Sequence, residues 1–243
     1  MKILIPTAKE LNLNTSSSSS NAMTKTTQLI VEELVSYSIE ELQKLYKISS
    51  ARAKIEYNRL KDIVQEQALY YPALYLFDGL MYRHIKRENY SKQEKRYIEK
   101  NLFITSALYG VIPALERIAP HRLDFMVSMK LSGKNLKIIW REAYNQKLEN
   151  ENLIFSLLSS EFETVFSKEI RNKFIRFKFL EEKEETLKMH STISKKARGE
   201  FLTALIENQV EKLEEIKQLT FDNFAYRPDL STEKEFVFVK VIH

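Results

Sequence analysis

The sequence predicts an α/β protein whose mixed sheet is covered by helices, with residues 1–243 forming a single domain. Short apolar or alternating segments, typical of strands, are separated by longer segments with a helical period. Glycine and proline are scarce, at 4 and 5 in 243 residues, and 44% of the residues are hydrophobic, which is typical of a helix-rich globular chain. A polar, serine-rich tract near residues 15–22 buries too little apolar surface to order itself, and we expect a mobile loop there.

Six segments have the pattern of strands: residues 2–5, 102–106, 153–158, 174–179, 187–193 and 235–241. The first is stopped by Pro6. Residues 174–179 alternate apolar and basic side chains, which indicates a strand with one solvated face. An acidic turn at residues 181–185 predicts that the strand after it pairs back as a hairpin, which makes the sheet mixed.

Helical periodicity runs through residues 24–67, and charged amphipathic patterns predict further helices at 90–100 and 135–148. Ser38 with Glu41, and Ser91 with Glu94, have the spacing of capping boxes. Trp140 lies in the third of these helices, and we expect it in the core. The dense aromatic segment 75–83 is predicted to be buried on both sides, as a strand or a helix.

A basic run precedes another apolar-periodic helix. Lys195, Lys196 and Arg198 stand directly before Gly199, which predicts positive charge at the start of a helix. The first turn of a helix offers unpaired backbone N–H groups and the positive end of the helix dipole, so phosphates are favoured there. The alternative is a solvated basic turn.

Composition and charge exclude several classes of function. The net charge of +5 is compatible with a polyanionic partner, and the absence of cysteine excludes disulfides, thiolate nucleophiles and cysteine-ligated metals. His84, His121 and His190 lack the spacing of metal ligands, so we predict no metal and no cofactor. The apolar start of the chain is too short for a signal peptide or a membrane span, which predicts a soluble, cytoplasmic protein without a membrane partner.

Six blocks stand in order along the chain: Ile5–Lys9, Ser106–Val111, Pro120–Asp124, Trp140, Ser159–Phe162 and Lys195–Gly199. Together they resemble the motifs of the YaaA family of peroxide stress proteins, over almost the whole chain. One departure lies at Gly79–Tyr82, where the family has Gly-Asp-Val-Tyr and this chain has Leu80 in place of the aspartate.

The resemblance implies an α/β fold peculiar to the family, DNA binding through a positively charged cleft, a helix-hairpin-helix-like element and a cytoplasmic role in limiting oxidative damage. Residues 108–112 offer one glycine for such a hairpin, and an ordinary turn between a strand and a helix is the alternative. The residues at positions matching the family's motifs are Lys9, Ser106, Tyr109, Gly110, Arg122, Glu161, Lys195, Lys196 and Arg198.

Two functional hypotheses follow. In the first, the chain binds the phosphate backbone of DNA independently of sequence, through Lys9, Arg122, Lys195, Lys196 and Arg198. In the second, it is an enzyme acting on a nucleotide or a nucleic acid. Glu161 is then the general acid or base, and Ser106, Tyr109 or Ser159 positions the substrate.

A structural alternative places Glu161 and Arg122 in a buried ion pair and Tyr109 in the core. Both functional hypotheses require that cations far apart in the sequence meet around one concavity. The sequence does not indicate an oligomeric state.

Overall fold

The computed structural model of the chain describes residues 1–19 and 23–242. The serine-rich tract therefore lies partly outside the described residues, and its mobility stays a prediction. In the described part of the tract, the backbone N–H groups of Ser18 and Tyr70 each donate to the other residue's carbonyl at 2.9 Å. This bridge attaches the tract to the segment that follows the third helix.

The described helices range from single turns to 17 residues. In chain order they are α1 (Lys25–Ser36), α2 (Ile39–Tyr46), α3 (Ser50–Val64), α4 (Ala73–Leu76), α5 (Leu80–Arg83), α6 (Lys92–Asn101), α7 (Leu136–Leu148), α8 (Ser160–Glu163), α9 (Lys168–Arg171), α10 (Ser191–Glu207) and α11 (Leu213–Ile216). A short 3₁₀ helix spans Pro228–Leu230.

The described strands form one large sheet and two small two-stranded sheets. In chain order they are β1 (Lys2–Pro6), β2 (Tyr71–Pro72), β3 (Leu102–Ser106), β4 (Gly110–Pro113), β5 (Arg117–Ile118), β6 (Lys130–Leu131), β7 (Lys134–Asn135), β8 (Ile154–Ser156), β9 (Phe174–Lys183), β10 (Thr186–Lys188), β11 (Thr220–Phe221), β12 (Phe224–Tyr226) and β13 (Glu235–Val241).

The large sheet has nine strands, in the order β11-β12-β13-β9-β8-β1-β3-β4, with β10 paired to β9. The pairs β1/β3, β1/β8, β8/β9 and β9/β13 are parallel. The pairs β3/β4, β9/β10, β12/β13 and β11/β12 are antiparallel. The predicted α/β class with a mixed sheet is therefore confirmed.

Local sequence signals start α2, α6 and α7 close to the predicted positions. Ser38 and Ser91 both form capping boxes, in which each serine hydroxyl accepts the backbone N–H of Glu41 or Glu94 and that glutamate accepts the serine N–H. Asn135 caps α7 in the simpler way, by accepting the N–H of Ile138 at 3.0 Å. Trp140 is buried as predicted, and its indole N–H donates to the Ala107 carbonyl at 2.8 Å.

The basic run does not lie at the start of its helix. Because α10 begins at Ser191, Lys195 and Arg198 are in its second turn, where backbone N–H groups are used within the helix. The strand predicted at 187–193 is correct only to Lys188, since the β-branched residues after it belong to α10. Residues 120–125 contain no helix or strand.

The helix-hairpin-helix-like element is not found at residues 108–112. This segment joins two antiparallel strands, β3 and β4, rather than two helices. Gly110 begins β4 with φ +81°, and a Cβ there would stand 2.8 Å from the ring of Trp140. The glycine therefore serves a tight hairpin against a packed tryptophan.

The strand order defines where a crevice opens. From β1 the chain passes to β3 on one side of β1, and it later returns to β8 on the other side. Loops that leave neighbouring parallel strands in opposite directions separate at the carboxyl edge of the sheet, which is where α/β proteins bind ligands. The loops after β1 and β8 border the crevice that opens between them.

Candidate functional site

A pocket of about 410 Å³ lies at the carboxyl ends of β1 and β8. Its walls come from the loop after β1, the start of α5, the loop 122–124, the α8 turn and α10. The lining residues are Pro6, Thr7, Ala8, Lys9, Glu10, Gly79, Leu80, Met81, Tyr82, Arg122, Leu123, Asp124, Ser159, Glu161, Phe162, Lys195 and Arg198.

Four of the five cations predicted to bind phosphate line this pocket: Lys9, Arg122, Lys195 and Arg198. They come from three separate parts of the sequence. Lys196 is exposed on α10 and is not among the lining residues. The structure thus brings together four of the five side chains and leaves the fifth on the neighbouring surface.

Three of these cations have no acidic partner. Among residues 1–19 and 23–242, no carboxylate oxygen lies within 4.0 Å of the charged nitrogens of Arg122, Lys195 or Arg198. Arg122 and Arg198 are half-buried, and burial lowers the pKa of Arg198 against the opposing effect of Glu163. A guanidinium keeps its charge under these conditions. Glu56 acts on Arg122 and Glu163 acts on Arg198 only over distances longer than an ion pair.

Lys9 is paired in the free protein. Its Nζ lies 2.7 Å from Oδ2 of Asp124, whose other oxygen accepts the N–H of Met126 at 2.9 Å. The Lys9 side chain is 56% exposed, whereas Asp124 is nearly buried. The exposed ammonium of Lys9 has further N–H donors, so it can reach a ligand anion while it stays paired with Asp124, whose nearly buried carboxylate would be costly to leave unpaired.

Glu161 faces the same pocket from α8. Its Oε1 accepts the backbone N–H of Phe125 at 3.1 Å. Burial raises the pKa of Glu161, the charge of Asp124 raises it further, and Lys9 opposes both effects. The suggested ion pair between Glu161 and Arg122 is absent from the described residues, since Glu161 pairs with backbone instead.

The loop after β1 is held in place from the other side of the pocket. The N–H of Asp78 donates to the Glu10 carbonyl at 2.8 Å, and the N–H of Asn12 donates to the Leu76 carbonyl at 2.7 Å. At Gly79 an added Cβ would stand 2.7 Å from the Cβ of Ala8, so the two loops touch closely. These contacts fix Lys9 opposite α10.

A second close contact joins α5 to α10. A Cβ on Gly199 would stand 2.2 Å from the Met81 carbonyl oxygen and 2.8 Å from the Cβ of His84. One residue along, Oε1 of Glu200 lies 2.7 Å from Nδ1 of His84. Since α5 supplies Leu80, Met81 and Tyr82 to the pocket, this contact sets the distance between two of its walls.

Ser106 and Tyr109, the other candidates for substrate positioning, lie in the core. Ser106 is fully buried, and its hydroxyl accepts the N–H groups of Leu108 and Tyr109 at 3.1 Å each. The Tyr109 hydroxyl accepts the N–H of Ala119 at 3.1 Å. Neither residue lines the pocket, and both hold the β3–β4 turn and the loop leading to Arg122.

His121 supports the same loop. Its Nδ1 donates to the Ala119 carbonyl at 2.9 Å, which leaves Nε2 as an acceptor 3.5 Å from the Ser106 hydroxyl. Complete burial lowers the pKa of His121 to about 4. This Ser–His pair is closed off from substrate, and its histidine is neutral at pH 7.

The burial of His121 predicts acid sensitivity. An unfolded histidine has a pKa of about 6.5, so stability is complete above that pH and is lost as the pH falls toward 4, by roughly 3 kcal/mol in total. We expect His121→Gln to lose less unfolding free energy than the unsubstituted chain between about pH 7.5 and about pH 4.5, measured by urea unfolding. Equal losses in the two proteins would contradict this assignment.

The described residues lack two further features, a metal-binding cluster and a membrane-spanning helix. No group of three or more His, Asp or Glu side chains among residues 1–19 and 23–242 is arranged to hold a metal ion. In the same part of the chain, no helix combines the length and the apolar character needed to cross a membrane.

Fold and pocket together define an α/β protein with a largely parallel central sheet and, at its carboxyl edge, a pocket lined by both cations and carboxylates. Residues 1–230 match the model of the family described as peroxide stress protein YaaA, and the chain belongs to this family.

The curated relatives show the same membership along the whole length. A UPF0246 protein of Streptococcus sanguinis strain SK36 is 62% identical over 242 residues, which is 100% of both chains. A UPF0246 protein of Streptococcus gordonii strain Challis is 55% identical over 242 residues, which is 100% of this chain and 99% of the relative. A UPF0246 protein of Streptococcus pneumoniae strain JJA is 53% identical, with 100% of both chains covered.

Sequence reasoning gave no role to Asp124 or to the apolar side of the pocket. Asp124 could have been found, since it directly follows Arg122 and Leu123 in a block already singled out. Met81 and Phe162 carried no signal beyond that of ordinary core residues, and Leu80 was noted only as a departure from the family's motif. Only the meeting of three loops makes them walls of a pocket.

Proposed function

We propose that the chain binds DNA through its phosphates, independently of sequence, as a cytoplasmic protein of the oxidative stress response. Lys9, Arg122, Lys195 and Arg198 are the phosphate ligands at the pocket, and Lys196 adds charge beside them. The observation that carries this proposal is the group of three cations in one pocket without acidic partners.

Charge in a partly buried site is costly unless it is paired. A phosphate oxygen supplies the missing partner, and an arginine can meet two such oxygens with parallel hydrogen bonds. Arg122 and Arg198, both half-buried, gain most from an arriving phosphate. The pocket is therefore organised for an anion before one binds.

Membership of a peroxide stress family supports a role in oxidative stress, and the absence of cysteine excludes a thiol as the chemical agent. Binding to DNA is compatible with protection that does not consume the oxidant. In this proposal the protein acts by binding to DNA and does not react with the oxidant.

The deciding experiment is the binding of a short fluorescein-labelled duplex across a salt series, read by fluorescence anisotropy. Each phosphate neutralised releases counterions, so we expect the logarithm of the binding constant to fall linearly with the logarithm of salt concentration, with a slope of about −0.9 per phosphate contacted. Duplexes of unrelated sequence should bind alike. Absence of binding at low salt would overturn the proposal.

A second candidate function is catalysis on a nucleotide or a nucleic acid. The observation in its favour is that Glu161, whose pKa burial raises, lines the same pocket as the cations, with Ser159 beside it. Carboxyls shifted in this direction serve as general acids or bases. Ser106 and Tyr109 do not reach the pocket and support this function only through the loops they hold.

A catalytic Glu161 predicts a particular pH profile. If it acts as a base, the rate falls with decreasing pH through a value above the ordinary glutamate pKa, because the protonated form is inactive and burial raises the pKa. If it acts as an acid, the rate falls with increasing pH through that same value. Glu161→Gln should abolish turnover without weakening duplex binding, because it removes a negative charge from the pocket.

The measurement is chromatography and mass analysis of nucleotides and oligonucleotides incubated with the protein. Conversion that survives in Glu161→Gln would exclude the residue from catalysis. If no substrate is converted by the unsubstituted protein, the enzyme candidate fails and the binding proposal is unaffected.

A further inference from the structure

We infer that the pocket accepts one nucleotide unit, a single phosphate with its base, rather than a stretch of paired duplex backbone. This inference rests on the proposed function, since it names the part of the nucleic acid that enters the site. Three features of the pocket carry it: its size, its apolar walls and the placement of its carboxylates.

The pocket is too small for a double helix. Its volume of about 410 Å³ falls within the range of roughly 300–1,000 Å³ typical of small-molecule pockets. The major groove of DNA alone is about 12 Å wide, so an intact duplex can only rest on the rim of such a cavity. A cation as buried as Arg198 then meets a phosphate only if a single unit enters.

The walls beside the cations are apolar. Leu80, Met81, Leu123 and Phe162 line the same space as Arg122 and Arg198. Phosphate and sugar oxygens gain nothing from such a surface, whereas the face of a base does.

The carboxylates limit the number of phosphates. Asp124 and Glu161 lie in the pocket with the cations, and two negative groups close together repel further anions. One phosphate can be held by Arg122, Lys195 and Arg198, while a second would meet these carboxylates. Their oxygens are acceptors suited to the amino groups on the edge of a base.

Two sources present this chemistry: a free nucleoside monophosphate and an unpaired nucleotide within DNA. Extruding a nucleotide costs least where it is already unpaired. The experiment therefore compares three fluorescein-labelled duplexes of one sequence: fully paired, with a single bulged nucleotide, and with an abasic residue at the bulge. The last two share flexibility and charge and differ only in the base.

We expect the abasic bulge to bind at least about tenfold more weakly than the nucleotide bulge, since base stacking and apolar contact are lost. A deoxynucleoside monophosphate should displace the nucleotide bulge at concentrations where inorganic phosphate and the matching deoxynucleoside do not. Displacement by the monophosphate without any difference between the bulges would assign the pocket to free nucleotides and would still support a one-unit site.

A variant separates the base contact from the phosphate contact. Leu80→Asn should weaken binding of the nucleotide bulge and of the monophosphate about fivefold more than binding of the paired duplex, because it alters the apolar wall and no cation. Lys217→Gln, at an exposed position that lines a cavity at the opposite edge of the sheet, is the control and should change none of these affinities.

Equal binding of all three duplexes, with no displacement by the monophosphate, would overturn the one-nucleotide inference and leave phosphate binding standing. Absence of binding to every duplex and to the monophosphate at low salt would overturn the proposed function as well. The two failures are thus distinguishable in one set of titrations.

Discussion

Replacing Arg198 with glutamine should weaken binding of the duplex with a single bulged nucleotide at low salt by at least about tenfold, as measured by fluorescence anisotropy. Hydrogen bonds to charged groups contribute about 1.5–3 kcal/mol, and 1.4 kcal/mol corresponds to tenfold in affinity. Arg198 is half-buried, lacks an acidic partner among the described residues and lines the pocket. The steepness of the salt dependence should also fall by about 1.

The matched control is Lys217→Gln, which removes the same charge from the opposite edge of the sheet. We expect it to change the affinity for DNA by less than about twofold, because exposed charges separated by more than a Debye length are screened. Lys196→Gln, exposed beside the pocket, should fall between the two. If Arg198→Gln and Lys217→Gln weaken binding equally, general surface charge and not the pocket accounts for DNA binding.

The largest expected loss of stability is at Gly199. Helix propensity alone predicts that Gly199→Ala stabilises α10 by about 1 kcal/mol. The added Cβ, however, would stand 2.2 Å from the Met81 carbonyl oxygen, and a backbone atom cannot move away without separating α5 from α10. We expect a net loss of roughly 3 kcal/mol or more in the free energy of unfolding, because overpacking at backbone is among the costlier changes.

Urea unfolding measures this loss, and Gly133→Ala is the control. Gly133 has φ +76°, yet no atom lies within 4 Å of an added Cβ there. Its substitution should cost only the strain of a left-handed conformation, roughly 1–2 kcal/mol. A Gly199→Ala protein as stable as the original would show that α5 and α10 are not in backbone contact, and the described distance between two pocket walls would be incorrect.

Much of the local structure was predictable because its causes are local. The alternation at residues 174–179 and the apolar run at 102–106 give β9 and β3, and the two serine–glutamate capping boxes start α2 and α6. The positive charges were equally predictable, because Lys9, Arg122, Lys195 and Arg198 follow directly from residue type and motif. These signals depend on neighbours within a few residues.

Other features failed for the opposite reason. The β-branched residues Thr192 and Ile193 favour a strand, yet they form part of the first turn of α10. They do so because α10 packs along the sheet, with the ring centroids of Phe201 and Phe177 4.6 Å apart. The glycine at position 110 suits both a helix-hairpin-helix-like element and an ordinary turn. Only the antiparallel pairing of β3 with β4 shows that this turn closes a β-hairpin. Tertiary packing overrides weak local preferences in both cases.

The sequence by itself determined the fold class, the central strands β1, β3, β8, β9 and β13, the longer helices, and which side chains carry positive charge. The tertiary structure alone decided that β8 returns beside β1, which brings Glu161, Arg122 and the α10 cations to the loop containing Lys9. The pairing of β1 with β8 joins residues more than a hundred positions apart, such as Lys2 and Ile154, and no local pattern encodes it. The charged side chains could therefore be identified one by one from the sequence, but not the pocket that four of them line.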